Sequence, residues 1–87
     1  MKPLIAVDVD PAIPAAYLRY RKGEVDRTVE VTADCSVAVD VDDAGVPLGI
    51  EILNFDDPDV VDAARSYARE HDLAFPRDLS GVLATWR

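Results

Sequence analysis

A single cysteine, a single histidine, a single tryptophan and four glycines in 87 residues exclude the chemistries that need several of them. Cys35 cannot form an intramolecular disulfide. With no second thiol and no neighbouring histidine to activate it, it is not expected to act as a nucleophile. His71 leaves no pair of imidazole ligands, and at the expected end of a helix its role is to face the negative pole of the helix dipole. There is no glycine-rich phosphate loop and no Ser-His-Asp set, and no cofactor is expected. No stretch approaches the roughly 18 uninterrupted apolar residues of a membrane span. The opening Met1-Lys2-Pro3-Leu4-Ile5-Ala6-Val7-Asp8 reaches an acid before a signal-peptide apolar region forms. The expected location is therefore the reducing cytoplasm.

Basic residues are also scarce. Nine Lys and Arg stand against 17 Asp and Glu, for a formal net charge of -8. An acidic surface repels phosphate backbones and anionic headgroups, which argues against direct nucleic-acid or membrane binding and leaves a basic protein or a cation as partner. At 49% hydrophobic and 30% charged residues, the composition is that of an ordinary globular chain, so disorder is not expected despite the charge. The length suits one domain over residues 1–87 with a small core, β-rich over 1–53 and helical over 54–87.

The clearest pattern lies between Val37 and Leu53, where two alternating runs flank a turn. Val37, Val39 and Val41 share one face, and Leu48, Ile50 and Ile52 supply the matching face of a return strand. A four-residue loop, Asp43 to Val46, sets Val41 opposite Leu48, Val39 opposite Ile50 and Val37 opposite Ile52, and so groups the branched aliphatics.

Earlier in the chain, alternation predicts a strand over Leu4–Val9 with Ile5, Val7 and Val9 on one face. An irregular connection follows, containing Pro11 and Pro14. A second strand over Ala16–Tyr20 places Ala16, Leu18 and Tyr20 opposite Tyr17 and Arg19. Arg21-Lys22-Gly23-Glu24 reads as a tight turn with Gly23 at positive φ, and Val25–Thr32 as a third strand with Val29 and Val31 inward, Thr28 and Glu30 outward.

After Asn54 the period changes from two to about 3.6. Asp57 suits the N-cap, Pro58 the first helical position, and Asp59 and Asp62 the positive end of the dipole. The helix is expected to reach about His71, with Val60, Val61, Ala64, Tyr67 and Ala68 as its apolar stripe. A shorter helical pattern capped by Asp78 carries Leu79, Val82, Leu83 and Trp86. The expected fold is α+β: an antiparallel meander of about four or five strands, one main C-terminal helix and a short final helix packed on one face.

The segments Asp10-Pro11-Ala12-Ile13-Pro14-Ala15-Ala16-Tyr17-Leu18-Arg19-Tyr20, Arg27-Thr28-Val29-Glu30-Val31 and Val39 to Leu53 together resemble a small prokaryotic family of unknown function. Its most specific motif is Asp-x-Asp-x-x-Gly-x-x-x-Gly-Ile-Glu-Ile-Leu, matched here by Asp40 to Leu53. Pro14 stands where the family has Asp and Ala16 where it has Leu, while Pro47 interrupts the final strand. The resemblance covers about residues 5 to 53 and implies a small β-rich domain without an established activity. Some members resemble the acidic halves of toxin–antitoxin-like pairs.

Candidate functional residues fall into two sets. Tyr17, Arg19 and Trp86 are of the types enriched at contact hot spots, and with the outward acids Glu30, Asp40, Asp42 and Glu51 they predict a noncatalytic interaction or regulatory module. Its expected partner is a basic protein or a second copy of the chain. The competing class is a small enzyme or divalent-cation domain centred on Asp40, Asp42 and Glu51. These acids partly match the spacing of a calcium loop, but Ala44 supplies no oxygen where the pattern needs one, and strand periodicity replaces the flanking helices. Glu51 would gain acid–base character only if its face were covered.

Overall fold

The computed structural model describes residues 1–10 and 12–76. Its elements are β1 (Ala6–Asp10), β2 (Ala15–Arg19), β3 (Arg27–Glu30), β4 (Val37–Val41), β5 (Pro47–Leu53) and α1 (Pro58–Glu70). The five strands form one antiparallel sheet with α1 on one face, an α+β fold. The short final helix expected around Trp86 lies outside the described residues.

The strand order is β1-β2-β5-β4-β3, which corrects the meander. β5 inserts between β2 and β4, so β2, β5, β4 and β3 make a Greek key. Burial explains the order. The most apolar strand, with Leu48, Ile50 and Ile52 buried, takes the middle, and the polar β3 goes to an edge. Residues 20–26 connect β2 to β3. They need to cross three strand spacings, about 14 Å, and extended chain of this length reaches up to about 23 Å.

That connection is not a tight turn, and Gly23 is not among the positive-φ residues. The glycine serves close packing instead: a Cβ there would come within 3.1 Å of Leu48 Cδ2. The hairpin loop is also shorter than expected. Asp42 N–H donates to the Val46 carbonyl at 3.0 Å, leaving a three-residue loop, Asp43 to Gly45, with Gly45 at φ 79. This is the three-residue hairpin in which a glycine takes the left-handed position. Val41 then pairs with Pro47, not Leu48, and a bulge between Asp40 and Val41 restores the expected Val39–Ile50 and Val37–Ile52 pairs.

The core is the inner sheet face, with Val7, Leu18, Val37, Val39, Val41, Ile50 and Ile52 under Val60, Ala64 and Ala68 of α1. The two alanines are fully buried and let the helix lie close to β5 and β4. Ile5, expected on the core side, precedes β1 and is half exposed. Val29 keeps its inward orientation opposite Val39 but remains exposed, because α1 sits over the middle of the sheet and β3 is an edge.

The helix begins as its sequence requires. Asp57 is the N-cap and accepts from Asp59 N–H at 2.9 Å, with Pro58 in the first turn. At the other end His71 is the C-cap and stacks on Tyr67 at 4.1 Å. Asp72 takes φ 57, and the Leu73 and Asp72 amides return to the Ala68 and Arg69 carbonyls, a Schellman closure. Leu73 then pairs with Lys2, and Tyr20 donates its hydroxyl to the Ala74 carbonyl at 2.7 Å. Burial raises the Tyr20 phenol. Asp57→Ala is expected to lower unfolding stability by about 1 kcal/mol, measured as a reduced urea midpoint with unchanged slope.

Candidate functional site

The outer sheet face lies opposite α1, and register decides what meets there. Asp8 on β1 faces Tyr17 on β2, which faces Glu51 on β5, which faces Ala38 and then Glu30. The adjacent row runs Ala6, Arg19, Gly49, Asp40, Thr28. Five of the sequence candidates, Tyr17, Arg19, Glu30, Asp40 and Glu51, therefore share this face.

Its centre is built around a missing side chain. Gly49 leaves a gap between Arg19 and Asp40, and the Tyr17 side chain lies across that gap. A Cβ at Gly49 would collide with the Tyr17 hydroxyl and ring. Reaching over the glycine, Tyr17 donates to Asp40 Oδ2 at 2.9 Å, and Thr28 donates to Asp40 Oδ1 at 2.6 Å. The Arg19 guanidinium sits 5.3 Å from the Tyr17 ring centroid, within the range of a cation–π contact. Burial first, and then the Asp40 carboxylate, push the Tyr17 phenol up to about 12, with Arg19 opposing.

Around this centre, the outward positions of the strands carry Asp8, Asp10, Glu30, Asp40 and Glu51 against Arg19. Asp8, Asp10, Tyr17 and Glu51 line an open depression of about 250 Å³. Glu51 is exposed, and α1 covers the opposite face of the sheet.

Asp42 separates from the group. Its Oδ1 accepts from the Ala44 and Val46 amides, both at 2.9 Å, and its Oδ2 lies 3.3 Å from Arg21. The Val46 amide and then the Ala44 amide hold its carboxyl below the usual range against partial desolvation. Its work is closing the hairpin loop. Trp86 lies outside the described residues. Asp40 and Asp42 thus spend their oxygens on separate partners, and among the described residues no three His, Cys, Asp or Glu side chains converge as metal ligands.

Sequence reasoning missed Thr28, Asp8 and the role of Gly49 at this face. Alternation already placed Thr28 outward, and Asp8 lies between Val7 and Val9 of the apolar face and so points the other way, but the strand order was needed to bring them beside Asp40 and Tyr17. A glycine inside an otherwise apolar strand was the available signal for a close approach.

The family model described as a protein of unknown function, DUF2283, matches residues 6–55. The chain belongs to that family. The DUF2283 segment takes in all five strands and ends just before α1, so the Tyr17–Gly49–Asp40 centre lies wholly within it. No curated protein and no solved structure matches the chain. Among the described residues, no helix is long and apolar enough to cross a membrane.

Two predictions test the face. Gly49→Ala is expected to destabilise by about 1–3 kcal/mol through collision with Tyr17, but to be neutral or stabilising in a Tyr17→Ala background, where the strand gains from losing a glycine. A double-mutant cycle in urea measures both. Because the folded Tyr17 pKa of about 12 exceeds the ordinary 10.0, its contribution to stability is complete below about pH 10 and is lost as pH rises through about 12. Urea midpoints across that window should fall, and Tyr17→Phe should reduce the fall.

Proposed function

We propose that this protein is a noncatalytic interaction or regulatory module whose outer sheet face receives a basic protein partner, in the manner of an acidic antitoxin-like subunit. The observation that carries the reading is the arrangement on that face: the Tyr17–Arg19 pair is set among Asp8, Asp10, Glu30 and Glu51, while α1 occupies the opposite face. A strand face with an ordered aromatic–arginine centre and an acidic surround suits a cationic surface. The aromatic body supplies contact area, and the acids supply steering and orientation.

The Asp40 hydrogen bonds support the same reading. They hold Tyr17 flat across Gly49, so that less side-chain freedom is lost when a partner covers it. The net charge of -8 favours fast encounter with a cationic protein. Among the described residues, Arg19 gives the strands' outer face a point of opposite sign, which rewards a partner presenting an acid at the matching position.

The test is capture from a lysate of the source organism at low and high salt, comparing wild type with Glu30→Lys/Glu51→Lys. Both replaced acids are exposed, so the variant should fold. The expected result is a basic protein held by wild type at low salt, released at high salt because exposed charges are screened over about a Debye length, and bound at least about tenfold more weakly by the variant. Equal retention by both proteins, or salt-insensitive retention, would defeat the reading.

A further inference from the structure

The far edge of the sheet offers a second surface. β3 is exposed at every residue and ends the strand order. Val29 is 40% exposed and Val25, just before the strand, 49%. The β3–β4 ladder shows which backbone groups are free. The Val31 amide donates to the Val37 carbonyl at 2.8 Å, and an antiparallel ladder repeats such a pair at every second residue. Arg27 and Val29 therefore turn their backbone groups toward β4, and Thr28 and Glu30 turn theirs outward from the edge. Among the described residues no backbone group pairs with these outward amides and carbonyls, and such an edge beside exposed valines is a template for another strand.

We propose that β3 pairs antiparallel with β3 of a second copy about a two-fold axis at Val29, extending the two sheets into one. A two-fold axis normal to the sheet opposes only residues of the same face, which leaves few registers. An axis at Thr28 sets Asp26 against Glu30. An axis at Glu30 opposes two glutamates, and one at Arg27 opposes two arginines. The axis at Val29 sets Val29 beside its own copy, Thr28 opposite Glu30 and Arg27 opposite Val31, with no like charges directly opposed. It is also the register in which each Thr28–Glu30 pair exchanges both of its N–H···O bonds.

With a second copy of the chain as occupant, charge and hydrogen bonding therefore select one arrangement. A single short strand pair buries well under the roughly 1,200 Å² of a standard interface, so the dimer is weak and concentration-dependent. The pairing uses the β3 backbone and shares only Glu30 with the acidic outer face. It does place two such faces side by side in one sheet, where a partner with two basic patches would gain avidity.

The test is sedimentation of the full chain with Val29→Lys and Glu30→Pro as variants. The first places two ammonium groups together at the axis. The second removes an outward N–H and leaves the β4 ladder intact. Wild-type mass should rise toward the dimer between roughly 10 μM and 1 mM, while both variants stay monomeric with unchanged circular dichroism. The Thr28 and Glu30 amides of the wild type should exchange with deuterium about tenfold more slowly in concentrated than in dilute solution. Should either variant fail to fold, the other and the wild-type exchange carry the test. The proposal is overturned by a wild-type monomer throughout or by a dimer that survives both substitutions. Amide protection independent of concentration, as another part of the same chain covering the edge would give, also overturns it.

Discussion

The pairing of Val37 and Val39 with Ile52 and Ile50 is the contact on which the rest of the structure depends. These four side chains are fully buried and directly opposed across β4 and β5. A shift of one residue would turn them all to the other face. Their burial gives Ala64 and Ala68 a surface to lie on, and it leaves Ile50 and Ile52 able to receive Leu18 and Ala16 from the other side. The same register sends Asp40, Gly49 and Glu51 outward together. The core and the outer face are two readings of one alignment.

Much of this was legible because it was local. Alternation located the strands, and the Asp57-Pro58-Asp59 start located α1 to within a residue or so. The hydrophobic match across the hairpin identified its central pairs. What was not legible depended on groups distant in sequence. A meander and a Greek key use the same strands, and only the relative burial of β3 and β5 separates them. Gly23 looked like a turn glycine because nothing nearby in the chain announces Leu48. The loop was misjudged by one residue because a bulge absorbs that residue without disturbing Val39 or Val37.

The candidate face shows the same division. Its five shared members could be assigned outward positions from alternation alone, whereas the contacts among them could not. Asp42 looked equivalent to Asp40 by spacing, yet the left-handed Gly45 bends the chain so that two backbone amides claim Asp42, while Asp40 remains on the strand to meet Tyr17 and Thr28. These residues all fall within the DUF2283 match, and both glycines of the β4–β5 hairpin have a geometric reason, one in the positive-φ turn and one beneath the Tyr17 ring.

The crossing of the β2–β3 connection also imposes an order of events. β2 finds its neighbour in β5, which begins at Pro47, so a growing or unfolded chain holds β1 and β2 with one side unpaired until the later hairpin exists. Closing that long loop is entropically costly before its contacts form. By sequence separation, the β1–β2 hairpin and the β3–β4–β5 unit are each local, and docking of β2 on β5 is the long-range step expected to follow them. Between synthesis of Arg19 and completion of β5, the β5-facing edge of β2 has no partner, and Ala16 and Leu18 stand beside Val9 and Val7 of β1 as an apolar face open to misassembly.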